Sequence, residues 1–146
     1  MNAARPEALY LGTLDRVVER MHELFDQWEA QQVFSEAAPP DVMARARMVV
    51  HEWIANLVQH AEFGVAVPEI ALSLWIDANG LHGRITDNSA GFDFDLEPAV
   101  TLEAVCRLLP ARGMGLLMIH TYSDHLAYHR APDGTNRLSF LLTPGT

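Results

Sequence analysis

The sequence predicts an α+β fold: a two-layer sandwich in which a mixed, mostly antiparallel sheet carries its helices on one face. Three observations lead there. Two long stretches near the start have helical apolar periodicity, two later stretches read as β-hairpins, and nothing in the order of elements alternates strand with helix. Hairpins join neighbouring strands antiparallel, which disfavours a parallel, doubly wound sheet.

The first helix is predicted from Leu14 to about Gln31. Leu14, Val17, Val18, Met21, Leu24, Phe25 and Trp28 recur at helical spacing and form one stripe, while Asp15, Arg16, Glu19, Arg20 and Glu23 fall on a solvated face. Thr13 is a fair N-cap. The preceding residues 1–12 read as a flexible lead or, through Leu9-Tyr10-Leu11, an edge strand. Residues 32–40 end in Ala-Ala-Pro-Pro and read as a loop, after which Asp41 caps a second helix running to about Ala61. The segment 69–77 is rich in apolar and β-branched residues and reads as a strand. Ala78-Asn79-Gly80 turns it back, with Asn-Gly supplying positive φ, and 81–87 is the return strand. A polar loop leads to short helices over 101–109 and 113–122, split by Pro110. Residues 125–130, the turn 131–134 and residues 135–143 complete a second hairpin.

With 146 residues, the whole chain is expected to form a single domain, 1–146, with a core of its own. No apolar stretch approaches the 18 residues of a membrane span, and the opening MNAARPEALYLG lacks the apolar run of a signal peptide. Cys106 is the sole cysteine, so an internal disulfide is excluded and a reducing, cytoplasmic setting is expected. The formal charge is −9, and every cationic side chain apart from histidine is arginine. An acidic surface repels phosphate backbones, which argues against nucleic-acid binding. Without lysine, a phosphate site has to be built from arginine, backbone N–H groups, a helix N-terminus or a metal.

Three places carry candidate chemistry. On the second helix Glu52, Asn56 and His60 follow one another at four-residue intervals and share a face. Oxygen donors one turn apart suit Mg²⁺, which takes a few such ligands together with substrate phosphates; by itself the stripe reads more readily as a solvated helix face. His60 reads more readily as a half-buried helix histidine than as a pocket residue. At the end of the return strand, Asp87 is followed by small residues through Gly91, a loop that can bring backbone close to a ligand, with a carboxylate able to accept a hydrogen bond from an amino group. A polar turn capped by Asp87 is the plainer alternative. Finally, Arg112, Gly113, Met114, Gly115 and Leu116 open an apolar helix. Successive N–H groups there form a nest that the helix dipole makes partly positive, a cradle for phosphate with Arg112 beside it, although the same motif also reads as a helix start with two flexible residues. His120, His125 and His129 have no closed set of partners, so no zinc site is read from them.

Taken in order, a helix with E-x-x-x-N, a strand end with D-x-x-x-G, R-G-x-G-L opening a helix, and a hairpin carrying Gly134-Thr135 resemble the GHKL ATPase superfamily. The resemblance covers about residues 40–143 and implies the Bergerat ATP-binding fold, with ATP and Mg²⁺ as cofactors. It assigns Glu52 and Asn56 to the N box, Asp87 and Gly91 to the first glycine box, Gly113 and Gly115 to the second, and Thr135 to the threonine near adenine. The size of the chain, its one helix ahead of the N-box helix and the phrase RGMGLLMIHTYSD are similar to the anti-sigma-factor serine kinases. That branch implies Mg²⁺ on Asn56, adenine on Asp87, phosphates on Arg112 and the 113–116 backbone, and Glu52 as general base. The partners it implies are a sigma factor, a small anti-anti-sigma (STAS-type) protein whose serine or threonine is phosphorylated, and a second copy in a homodimer. Two positions depart from the family pattern. Ser89 stands where the first glycine box has its first Gly, a position at which positive φ would carry a steric cost and weaken adenine binding. Ala111 stands where another Gly often precedes the Arg. A catalytically silent ATP-binding sequestration module, and a structural protein with a vestigial pocket, are the competing readings.

Overall fold

The computed structural model describes Leu14, residues 16–32, Phe34, and residues 40–64, 67–91 and 124–143, the side chains of Pro40 and His60 excepted. The expected helices at 101–109 and 113–122, the lead 1–12, Thr13, Cys106 and the 112–116 cradle lie outside the described residues. Within them the chain forms α1 (Val17–Ala30), α2 (Pro40–His60), β1 (Ile70–Asp77), β2 (Gly80–Asp87), β3 (His125–Arg130) and β4 (Asn136–Leu142). The four strands make one sheet in the order β1-β2-β4-β3, every neighbouring pair antiparallel. The predicted α+β sandwich is therefore present. No described helix is long and apolar enough to cross a membrane.

Strand alternation separates the two faces of the sheet. Ile70, Leu72 and Leu74 of β1, Leu81 and Ile85 of β2, Leu138, Phe140 and Leu142 of β4 and Tyr128 of β3 are buried in one core. The other wall is α2, which packs against β2 and β4 and contributes Val42, Met43, Ala46, Val49, Val50, Trp53, Ile54 and Leu57. The Trp53 and Tyr128 rings meet at 5.6 Å across the layers. Outside α2 lies α1, presenting Val17, Met21, Phe25 and Trp28 at the predicted spacing. Arg47 of α2 ties the two helices together: it donates to His22 Nδ1 at 2.8 Å, lies 2.8 Å from Asp26, and sits 5.9 Å above the Phe25 ring.

Both helix starts differ from expectation. α1 begins at Val17 behind Arg16, which makes no side-chain cap bond, rather than at Leu14 behind Thr13. α2 begins at Pro40, one residue ahead of the expected cap Asp41, which instead supplies the negative charge of the first turn; proline suits a first helical position because its missing N–H has no intrahelical partner there. The β1–β2 turn is also shifted by one residue. Asp77 pairs with Gly80, so Ala78 and Asn79 form the loop, and the Asp77 carboxylate accepts the Asn79 N–H at 2.8 Å. Gly80, at φ +139, rather than Asn79 takes the positive φ.

Candidate functional site

Inward positions of β2 run Leu81, Gly83, Ile85 and then Asp87, so the same alternation that builds the core also buries a carboxylate. Asp87 is 2% exposed. Taking an ionised carboxylate out of water is costly unless hydrogen bonds replace the lost hydration. Here the Ser89 backbone N–H donates to Oδ1 at 3.0 Å, the Ser89 hydroxyl at 2.6 Å and the Asn136 amide at 2.9 Å. Asn136 opens β4 and stands directly opposite Asp87 in the register, itself only 1% exposed. All three described donors fall on Oδ1, which leaves Oδ2 to accept from an N–H donor of a ligand.

The loop after β2 is shaped by the same group. Ser89 has no left-handed strain: among the described non-glycine residues only Gln32 has positive φ. The steric cost expected at this position does not arise, and the hydroxyl does two jobs, donating to Asp87 and accepting the Gly91 N–H at 3.0 Å. Gly91 is the residue at positive φ, +80. A side chain there would place its Cβ 2.6 Å from Asn136 Oδ1 and 3.0 Å from Arg130 Nε, so glycine is required both by the backbone and by the close approach. One transverse row of the sheet thus reads Ile70, Asp87, Asn136, Arg130.

The helix that carries the second candidate group is fastened to this loop. The Ala90 N–H donates to the Glu62 carbonyl, two residues beyond α2, at 2.7 Å. Asn88 braces the same connection, accepting the Glu69 N–H at 2.8 Å and donating to the Val67 carbonyl at 2.9 Å. On α2, Glu52 is half-buried, whereas Asn56 is buried with an Nδ2 that has no partner among the described residues. A buried amide without a partner is uncommon in a folded protein and marks a place where a ligand completes the hydrogen bonding. An unpartnered Nδ2 donor calls for an acceptor such as a phosphate oxygen, and the carbonyl of the same amide is an oxygen that could ligate Mg²⁺. Among the described residues no group of three or more His, Cys, Asp or Glu forms a ready-made metal site.

Of the predicted site residues, the structure joins Asp87 and Gly91 in one loop and fastens that loop to the end of α2. The side chain of His60 and the residues Arg112, Gly113, Met114, Gly115 and Leu116 lie outside what is described. Thr135 sits in the β3–β4 turn, where its hydroxyl and N–H both donate to Asp133 Oδ1, at 2.7 and 3.0 Å. The side chain that reaches Asp87 from this hairpin is its neighbour Asn136. Sequence reasoning passed over Asn136, although a signal was present: in NRLSFLL the inward positions are Asn136, Leu138, Phe140 and Leu142, and a polar residue interrupts an otherwise apolar face.

The sequence fits the family model for the histidine kinase-like ATPase domain over residues 13–139. No curated protein matches it significantly.

Proposed function

The chain belongs to the histidine kinase-like ATPase domain family, and we propose that within it the chain is an anti-sigma-factor-like serine/threonine protein kinase. It would phosphorylate a STAS-type anti-anti-sigma protein and so regulate transcription by partner switching. The observation that carries the nucleotide half of this reading is Asp87: a carboxylate buried to 2% exposure, whose donors among the described residues all fall on one oxygen. Such an acceptor suits the exocyclic amino group of adenine. Asn56 would hold Mg²⁺ together with phosphate oxygens, and Mg²⁺ would supply charge neutralisation at the transferring phosphoryl group. Arg112 and the backbone N–H groups of Gly113, Met114, Gly115 and Leu116 would bind the phosphates.

For transfer, Glu52 would take the proton of the partner's serine hydroxyl while the serine oxygen attacks the γ-phosphorus and the bond to the β-phosphate oxygen breaks, releasing ADP. Half-burial on the same helix as Asn56 supports this role, since the two share a face one turn apart. The test is transfer of labelled γ-phosphate to candidate anti-anti-sigma proteins in the presence of Mg²⁺. Glu52→Ala is expected to abolish label on the partner while ATP still binds. ATP binding without transfer to any such partner, in the wild-type chain, would point to the sequestration module instead. That alternative drew on the departure at Ser89, and a serine free of backbone strain that donates to Asp87 weakens it.

A further inference from the structure

Asp87, Ser89 and Asn136 form a hydrogen-bond group in which every donor among the described residues that reaches the carboxylate falls on its Oδ1. We infer that Ser89 and Asn136 are positioning residues for Asp87 and that they set the nucleobase selectivity of the site; the inference rests on the reading of Asp87 as the adenine acceptor.

A carboxylate offers about four lone-pair directions on two equivalent oxygens. On Asp87 the Ser89 N–H, the Ser89 Oγ–H and the Asn136 Nδ2–H all converge on Oδ1. Rotation about the Cβ–Cγ bond would break all three at once, so the plane of the carboxylate is fixed and Oδ2 keeps one direction. The donors are fixed in turn. The Ser89 hydroxyl receives the Gly91 N–H at 3.0 Å, and the Asn136 amide also donates to the Ser89 carbonyl at 2.9 Å. Because both bonds from Nδ2 go to acceptors, the amide orientation is settled, and its Oδ1 is left buried with no partner among the described residues.

Selectivity follows from an acceptor that cannot turn. An amino group at the position facing Oδ2 gains a charge-assisted hydrogen bond. A carbonyl there, as guanine presents, sets two acceptors against each other, and a fixed carboxylate cannot rotate to relieve the repulsion. A glycine at position 89 would leave only the backbone donor of that residue, and an alanine at 136 would remove the bond across the strands. Either change lets the carboxylate turn, which weakens the bond to adenine and eases the repulsion of guanine.

The experiment is calorimetric binding of Mg-ATP and Mg-GTP to the full chain and to Ser89→Ala, Ser89→Gly, Asn136→Ala and Asp87→Asn, with thermal melts and near-UV circular dichroism alongside. Ser89→Ala and Asn136→Ala are each expected to weaken ATP about tenfold while GTP changes less than about twofold, lowering the ATP/GTP preference about tenfold. An equal loss for both nucleotides means a structural role only and overturns the inference, as does an unchanged ratio. If Asn136→Ala does not fold, the two Ser89 variants decide. Asp87→Asn separates the layers: ATP binding lost there, with wild-type selectivity in the Ser89 and Asn136 variants, overturns the positioning role alone. ATP binding retained in Asp87→Asn overturns the adenine reading and the inference with it.

Discussion

Gly91→Ala tests the geometry of the loop while leaving the Asp87 carboxylate in the sequence. The backbone there has φ +80, a region in which a non-glycine residue costs about 1–2 kcal/mol. The new Cβ would also stand 2.6 Å from Asn136 Oδ1 and 3.1 Å from its Cγ, well inside contact distance. Asn136 is buried and held by two hydrogen bonds, so displacing it forfeits a bond to a charged carboxylate, about 1.5–3 kcal/mol. Together the two effects amount to roughly 2.5–5 kcal/mol, which for a chain of this size lowers Tm by roughly 5–20 °C. Gly134 supplies the control. It has a similar φ of +90 but nothing within 4 Å of its Cβ position, so Gly134→Ala carries the backbone cost alone. Thermal melts should therefore show Gly91→Ala less stable than Gly134→Ala by at least about 1.5 kcal/mol. In an Asn136→Ala background most of the excess should vanish, because the displaced side chain is gone and only the looser approach to Arg130 Nε at 3.0 Å remains. Equal melting of the two glycine variants, or an excess undiminished by Asn136→Ala, would refute the contact on which the loop is built.

Three further outcomes are expected. Gly83→Ala puts a Cβ 2.0 Å from the Phe140 ring, which is 3% exposed and has nowhere to move; urea melts should show a loss of about 3 kcal/mol or more, relieved in part by Phe140→Leu. Asn88→Ala removes both braces between the loop and the segment after α2, so amide exchange at Glu69, whose N–H Asn88 accepts, should quicken while the β1–β2 ladder stays protected. His22 titrates below the ordinary histidine range, chiefly because burial and then the neighbouring Arg47 and His51 disfavour its charged form, against a smaller opposing pull from Asp26. The unfolded chain therefore takes up the proton first, and stability falls as pH drops from about 6.5 toward the lower folded-state value. Urea midpoints measured from pH 7.5 to 5 should decline less steeply in His22→Gln than in the wild type, and identical slopes would remove His22 from the account.

Local patterns were legible, and pairings distant in sequence were not. The α1 stripe, the body of α2 and both hairpins follow from periodicity and turn residues, and all of them formed. The starts of the helices were misjudged because Thr13 and Asp41 are good caps in isolation, while Val17 and Pro40 are where the described helices begin. The pairing of β2 with β4 joins the two hairpins across a long stretch of chain, and no local signal announces it. Yet that pairing sets Asn136 opposite Asp87 and Phe140 opposite Gly83. The departure at Ser89 shows the same limit: its apparent defect came from comparing residue types, and its use as a donor depends on where the following turn sends the hydroxyl.

The transverse row at the end of the sheet concentrates what is unusual about this molecule. Every other inward position of β2 and β4 is apolar or glycine, but the last row holds a carboxylate and an amide side by side under the protein, with Arg130 exposed at its rim. Replacing such a pair with two apolar side chains of similar size would often be neutral or stabilising for a fold. Asp87 and Asn136 each have a bonding position that the described residues leave open: Oδ2 on the one, a buried Oδ1 on the other. A structural network is expected to close on itself, since a half-satisfied buried network is worse than an apolar core. An incomplete one, tied through Ala90 to the helix that carries a second open amide at Asn56, is what a domain needs if a ligand is to supply the missing partners.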